Sequence, residues 1–425
     1  MNITALHQIF LQFPTVCTDT RKITDNCIFF ALKGDNFNGN DYVGSALRKG
    51  AAYAVSDDKE YTNLDKVLIV DDVLGTLQEL AKYHRNHCSA RIIALTGSNG
   101  KTTTKELILS VLSQKYKTVA TVGNLNNHIG VPLTLLSIKE DTEIAIVEMG
   151  ANHLKEIEFL CTIALPDFGY ITNFGKAHLE GFGGVDGVIE GKSELYSFIT
   201  NHNGIAFLNA DDPVQLGKLG TYIQKYGFSK TKKEYYTIEF LKADPYVSLR
   251  VEDTTIQSQL IGSYNFENCC AAIIMGKYFN IPLDAIKIAI EGYMPQNNRS
   301  QIINKNGRQI ILDAYNANPS SMKVALENFN NLEGGPKMAF LGDMFELGES
   351  SPIEHQNITD ILVQLDIEKV FLLGENFNKT ECPFTKFKDF DEFKSNFKDL
   401  DLVENGKTLI KGSRGMALER ILDLL

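Results

Sequence analysis

The sequence predicts an α/β protein of three domains, each built on a mostly parallel sheet. Three observations predict it. The chain has 425 residues, about three domains at roughly 150 residues each. Short apolar strand candidates alternate with helical segments, with no low-complexity stretch or fixed-period repeat. In the second and third blocks these strands end at polar residues, and in open parallel sheets the ligand crevice lies at that end.

The first block, residues 1–86, has strand candidates at Cys27–Leu32, Ala51–Val55 and Val67–Val70. A helical pattern from Val73 to His84 sets Leu77, Leu80 and Ala81 on one face. The second, residues 87–296, has strand candidates at Ile92–Leu95, Ile144–Val147, Tyr170–Thr172 and Ile205–Leu208, ending at Thr96, Glu148, Asn173 and Asn209. The third, residues 297–425, repeats the pattern as a second nucleotide-binding-type sheet. Ile310–Leu312 runs into Asp313, Ala339–Leu341 into Asp343, Val370–Leu373 into Glu375, and Leu409–Ile410 into Lys411. Pro, Gly and adjacent Asn residues make GYMPQNNRSQ (292–301) the expected hinge.

Composition excludes several classes. With 42 Lys and Arg against 53 Asp and Glu, the net charge is −11, which argues against a nucleic-acid binder. The N-terminus lacks a basic region and an unbroken apolar stretch, so it does not read as a secretory signal. No segment approaches the ~18 apolar residues of a membrane span. Seven scattered Cys with no CxxC pair fit unpaired thiols in a reducing cytosol. A cytoplasmic protein, and a monomer, is expected.

The strongest local signal is IIALTGSNGKTTTKELILSVL, residues 92–112. A buried strand enters a Gly-containing turn, then Lys101-Thr102, then a helix with Leu107, Ile108, Val111 and Leu112 on one side, the context a P-loop requires. Backbone N–H groups across Gly97, Ser98, Asn99, Gly100, Lys101, Thr102 and Thr103 can wrap a phosphate at a helix N-terminus. Lys101 brings charge to the β- and γ-phosphates, and the Thr102 hydroxyl suits Mg²⁺. Leu95 occupies the place of the usual first glycine, so the loop is a shortened form.

Other residues group around this loop. Glu148 ends the next apolar strand, where a carboxylate can hold Mg²⁺ that shares the phosphates. His178 follows a strand whose carboxyl end faces the same crevice. Asn265 and Asn268, three apart at a helix start, can hydrogen-bond adenine or ribose, or cap the helix.

The shortened loop with its three threonines resembles the ATP-dependent Mur ligases of peptidoglycan synthesis and their folylpolyglutamate synthase relatives. The resemblance spans nearly the whole chain in order. It implies Mg²⁺ ligation by Glu148 and, for a second ion, by His178. It also implies a CO₂-derived carbamate on Lys192, in EGKSEL, as a further metal ligand. Arg299, in PQNNRSQ, matches a phosphate-contacting Arg, and Asp313 matches an Asp that binds the ATP ribose. Lys101, His178, Lys192 and Arg299 are thus the implied catalytic set. The family pattern Gly-x-His-Asn-x-x-Asn has Tyr264 here in place of His.

DAYNANPSS (313–321), LGDMFELGE (341–349) with His355, and KGSRGMALE (411–419) resemble the subclass that adds D-alanyl-D-alanine. Tyr315, Asn316 and Asn318 are therefore implied substrate residues, with Asn126 and Asn127 of GNLNNHIG. CTDTRKI (17–23) and FFALKGDNFNGNDYV (29–43) resemble the family's UDP-sugar-binding domain, implying UDP contacts at Thr18, Asp19, Thr20, Arg21, Lys33 and Gly34. The resemblance thus divides the chain into a small α/β UDP-binding domain, a P-loop ATPase domain and a Rossmann-like domain. It implies ATP, two Mg²⁺ ions, UDP-N-acetylmuramoyl-tripeptide and D-alanyl-D-alanine as ligands, and an acyl-phosphate route to an amide bond. Rival expectations are a folate-glutamylating ligase, a P-loop small-molecule kinase and a non-catalytic nucleotide-binding protein.

Overall fold

The computed structural model describes every residue except Asn297, which lies in the expected hinge. The chain forms three principal sheets in succession. The first is wholly parallel, in the order β1 (Val16–Cys17), β2 (Ile28–Phe30), β3 (Tyr53–Ser56) and β4 (Val67–Ile69). A small hairpin pairs Lys33–Gly34 with Phe37–Asn38. Helix α1 (Ile3–Gln12) packs on α2 (Val73–His87), whose buried face carries Leu77, Leu80 and Ala81 as the periodicity predicts.

The central sheet has nine strands: β5 (Arg91–Thr96), β6 (Thr118–Ala120), β7 (Ile144–Glu148), β8 (Phe168–Ile171), β9 (Ile205–Asn209), β10 (Lys225–Ser229), β11 (Tyr236–Ala243), β12 (Tyr246–Val251) and β13 (Thr254–Ile261). Their order is β13-β12-β11-β10-β9-β8-β5-β7-β6. Pairing is parallel from β6 to β11 and antiparallel at the β11–β12–β13 edge. The antiparallel edge did not stand out from the sequence: its strands alternate exposed and buried residues, a weaker signal than the wholly buried runs of β5 and β7. Strand β5 sits between β7 and β8, connected to opposite sides of the sheet, so a crevice opens at its carboxyl end.

The third sheet has six strands: β14 (Gln301–Lys305), β15 (Arg308–Asp313), β16 (Lys337–Gly342), β17 (Lys369–Leu373), β18 (Thr385–Phe387) and β19 (Lys407–Lys411). Their order is β14-β15-β19-β16-β17-β18, with only the β14–β15 pair antiparallel.

Three helices set the site. Helix α3 (Lys101–Leu112) starts where β5 ends and buries Leu107, Ile108, Val111 and Leu112. Helix α4 (Asn265–Tyr278) is buried along nearly its whole length and packs on α3, with Cys269 and Cys270 as core filler. Helix α5 (Pro319–Asn331) opens with a capping box: Asn318 Oδ1 accepts from the Ser321 amide, and Ser321 Oγ accepts from the Asn318 amide. All seven Cys are free thiols. Among the described residues, no helix is long and apolar enough to cross a membrane.

Candidate active site between two sheets

The turn from β5 into α3 is shaped by two glycines. Gly97 has φ +141°, and a Cβ there would stand 2.0 Å from Thr172 Oγ1. Gly100 has φ +78° and lies against the Asn268 amide. Neither conformation suits a larger residue. Asn99, between them, is pinned from β8's end. Its carbonyl accepts from Thr172 Oγ1 at 2.6 Å and Asn173 Nδ2 at 3.1 Å, and its N–H donates to Asn173 Oδ1 at 3.1 Å. The loop is thus prefolded, with the start of α3 facing the crevice.

Lys101 Nζ donates to the Gly97 carbonyl at 2.7 Å. Burial pushes its pKa down, Glu148 opposes that and Arg299 adds to it. An ammonium so placed gains from an incoming phosphate. Thr102 Oγ1 donates to Glu148 Oε2 at 3.0 Å, and both residues are buried. Asn126 Nδ2 donates to Glu148 Oε1 at 2.8 Å. Lys105 is buried behind them, its Nζ 2.6 Å from the Thr121 carbonyl and 3.9 Å from Glu148 Oε2. Two hard oxygen donors beside a phosphate cradle fit Mg²⁺, which takes few protein carboxylates and shares phosphate oxygens. Among the described residues no three His, Cys, Asp or Glu side chains converge as a metal cage.

A cleft of 1060 Å³ separates this loop from the carboxyl ends of the third sheet. From the far side come Arg299, Asp313, Tyr315, Asn316, Asn318 and Lys411. Arg299 lies over the Tyr315 ring, 3.6 Å from its centroid. Asp313 Oδ2 receives the Lys411 ammonium at 2.5 Å, and Oδ1 accepts from the Ser300 amide at 3.0 Å. The two sides touch. Asn318 Nδ2 donates to Asn99 Oδ1 at 2.7 Å, Lys176 pairs with Glu354 at 2.7 Å, and His178 Nδ1 lies 2.5 Å from Glu346 Oε2. The His178 contact holds the Glu346 carboxyl below its usual range.

Several sequence expectations need correction. Asn126 and Asn127 border the cleft, and each amide is engaged through one of its two groups: Asn126 Nδ2 donates to Glu148, and Asn127 Oδ1 accepts from the Ile129 and Gly130 amides to start a helix. Asn265 is not a helix cap; Tyr264 holds that position. Asn265 Nδ2 donates to the Ile261 carbonyl, Asn268 Nδ2 to Asn265 Oδ1, and Thr104 Oγ1 to Asn268 Oδ1. The two Asn therefore brace the phosphate loop from below, although both border the cleft. Lys192, on the helix Val185–Asn201, lies behind the cleft wall, with Nζ donating to the Ala151 carbonyl at 3.0 Å and resting over the Phe182 ring. Burial, with Lys101 nearby, pushes its pKa well below the usual lysine value.

Thr18, Asp19, Thr20, Arg21, Lys33 and Gly34 are not part of this cleft. They belong to the first sheet's loops, where Asp19 caps a short turn and holds Arg21 at 2.8 Å, and Lys33 pairs with Asp57 at 2.9 Å. The buried Asn40 of the same loop serves packing: it binds Asp57 and Ser56. Sequence reasoning assigned no role to Lys105, Lys176 or Glu346 and missed the pairing of Lys411 with Asp313. Glu346 and Lys411 carried a signal, lying in LGDMFELGE and KGSRGMALE, and Lys411 also ends a strand.

A strand–phosphate loop–helix unit facing a second Rossmann-like sheet defines a nucleotide-dependent α/β enzyme with its site between domains. The family to which it belongs follows from comparison along the chain. The Mur ligase family catalytic domain matches residues 13–88, the Mur ligase middle domain residues 95–276, and the Mur ligase glutamate ligase domain residues 298–412. The chain is a member of the Mur ligase family. It is 36% identical to UDP-N-acetylmuramoyl-tripeptide--D-alanyl-D-alanine ligase of Bacillus subtilis (strain 168), over 96% of this chain and 92% of that one. With the Escherichia coli (strain K12) protein of the same name, identity is 33%, over 98% and 94%. Among solved structures it is similar to MurF ligase from Thermotoga maritima in complex with ADP (TM-score 0.84, 27% identity, 97% of each chain). It is also similar to MurF from Acinetobacter baumannii (TM-score 0.83, 30% identity, 97% of this chain and 93% of that one).

Proposed function

We propose that this protein joins D-alanyl-D-alanine to UDP-N-acetylmuramoyl-tripeptide at the expense of ATP, as a cytoplasmic step in making peptidoglycan precursor. The terminal carboxylate of the tripeptide attacks the γ-phosphate of ATP, giving an acyl phosphate and ADP. The amine of D-alanyl-D-alanine then attacks the acyl carbon, and phosphate leaves. The observation that carries this reading is full-length similarity to ligases of that name, in a chain whose phosphate loop and DAYNANPSS loop share one cleft.

Each residue has a physical task. The loop amides, Lys101 and Arg299 offset the repulsion between carboxylate and triphosphate and stabilise the transferring phosphoryl group. Asp313, oriented by Lys411 and Ser300, takes the ribose. Thr102 and Glu148 hold one Mg²⁺, and His178 serves a second. These ions, when bound, neutralise charge on the phosphates. Burial pushes the Lys192 pKa well below the usual lysine value, which favours the uncharged amine, the form that adds CO₂ to give a carbamate and a released proton. Thr18, Asp19, Thr20, Arg21, Lys33 and Gly34 take the UDP end. Tyr315 and Asn316 take the dipeptide side, and Asn318 positions their loop by capping α5 and holding Asn99. The contacts from residues 176–178 to Glu346 and Glu354 limit entry of water, which would hydrolyse the acyl phosphate. One chain supplies both faces of the cleft, which supports action as a monomer.

The test is phosphate release from ATP that requires both UDP-N-acetylmuramoyl-tripeptide and D-alanyl-D-alanine. Release with neither, or a phosphorylated product without free phosphate, overturns the reading.

A further inference from the structure

Tyr264 reaches out of the central domain into the connector. Its Oη lies 2.8 Å from Ser300 Oγ. Ser300 is buried and adopts φ +48°, a left-handed conformation that a serine holds only when its surroundings enforce it. The Ser300 amide donates to Asp313 Oδ1 at 3.0 Å, and its hydroxyl lies 3.5 Å from the same oxygen. Two residues earlier, Asn298 is also left-handed, at φ +56°, and its carbonyl accepts from the Tyr315 amide at 3.2 Å. Arg299 stands between these anchors and lies over the Tyr315 ring.

The hydrogens have a consistent assignment. Burial, and the negative charge of Asp313, push the Tyr264 phenol up, so it stays protonated and donates. Ser300 Oγ accepts from it and directs its own hydrogen toward Asp313. A phenylalanine ring would fill the same space with no donor. An imidazole is shorter than a phenol and does not span the gap to Ser300.

We propose that Tyr264 is a positioning residue for ATP: through Ser300 it holds the interdomain connector so that Arg299 and Asp313 face the phosphate loop. This rests on the ATP-dependent reading above. Tyr264 takes no part in proton transfer, and its effect is on nucleotide affinity.

The test is ATP affinity by calorimetry, with KM and kcat for ligation, in Tyr264→Phe, Ser300→Ala, the double variant and Ser300→Gly. Each single variant is expected to weaken ATP binding by about 3- to 10-fold, the worth of one neutral hydrogen bond. KM for ATP rises in step, kcat changes less, and KM for the UDP substrate stays put. The double variant loses no more than the weaker-binding single variant, because both break one relay. Ser300→Gly separates the roles: it relieves the left-handed backbone, so its melting temperature does not fall, while ATP binding still weakens. Parent-like ATP affinity in Tyr264→Phe, or independent multiplying losses in the double variant, overturns the proposal. A parent protein that binds ATP but forms no amide bond overturns the reaction, and the binding measurements still decide the role of Tyr264.

Discussion

Asn99 and Asn318 are 219 residues apart in the chain and 2.7 Å apart in the fold. Asn99 is the middle of the phosphate loop; Asn318 is the cap of a helix on the opposite sheet. A single amide therefore starts helix α5 with its oxygen and closes the cleft with its nitrogen.

Substitution at Asn318 should separate these tasks. Asn318→Asp keeps the capping oxygen but sets a carboxylate against Asn99 Oδ1. Its melting temperature should stay close to the parent's while turnover falls about tenfold, through lost orientation. Asn318→Ala should lose turnover and also about 1 kcal/mol of stability, the usual worth of a cap. Unchanged turnover in both variants would remove the contact from the catalytic account.

Lys101→Ala should lower turnover by ~10³-fold or more, the scale for losing a charge aimed at the transition state. Thermal stability should not fall, because the ammonium is buried against carbonyls and its removal relieves desolvation. Ligation at the parent rate would sink the phosphate-loop assignment.

Glu148→Gln should raise the Mg²⁺ concentration needed for half-maximal activity by about 10- to 100-fold, the range seen when a metal site's shell is disturbed. Nucleotide-dependent Mn²⁺ binding, followed by electron paramagnetic resonance, should weaken in parallel. An unshifted Mg²⁺ curve would exclude Glu148 as a ligand.

Lys192→Ala should lose activity and recover part of it with short carboxylic acids, which stand in for the carbamate's anionic oxygens. Carbon dioxide removal should slow the parent and leave the alanine variant unaffected. Full activity in Lys192→Ala would reject the carbamate.

Stability should depend on pH through the junction of the first two domains. His7 and His84 are buried, with His7 Nε2 3.1 Å from His84 Nδ1 and His84 Nε2 2.8 Å from the Ile138 carbonyl. Tyr83, His87 and Cys88 complete the surroundings. Burial, with His84 and His87, lowers the His7 pKa from 6.5 to about 4. Between those values the unfolded chain binds more protons than the folded one. Stability is therefore full above pH 6.5 and is lost as pH falls toward 4, by at most about 1.4 kcal/mol per pH unit from this one group. Melting curves from pH 7.5 to 5 should show the decline, and His7→Gln should flatten it. Equal slopes would exonerate His7.

The strands that carry the site were legible because their apolar runs are buried and end abruptly at polar residues: β5 before the phosphate loop, β7 at Glu148, β15 at Asp313. The phosphate loop was legible from local chain alone, because a strand, glycines, Lys101-Thr102 and an amphipathic helix form one continuous unit. The partners of these residues were not legible. Nothing local in the sequence pairs Lys411 with Asp313 across 98 residues, or Asn126 with Glu148, and hydrogen bonds between distant segments leave no periodic trace.

By itself the sequence determined three α/β domains, a phosphate-binding turn and the residue types gathered around it, since buried period, glycine and charge act over a few neighbouring residues. Tertiary structure alone decided which of those side chains are free to meet a ligand. Packing spent Asn265 and Asn268 on neighbours, tied Asn126 to Glu148, buried Lys192 behind the wall and brought Tyr264 to Ser300. A buried polar group must find a partner within hydrogen-bond reach, and which partner lies there is a property of the folded chain.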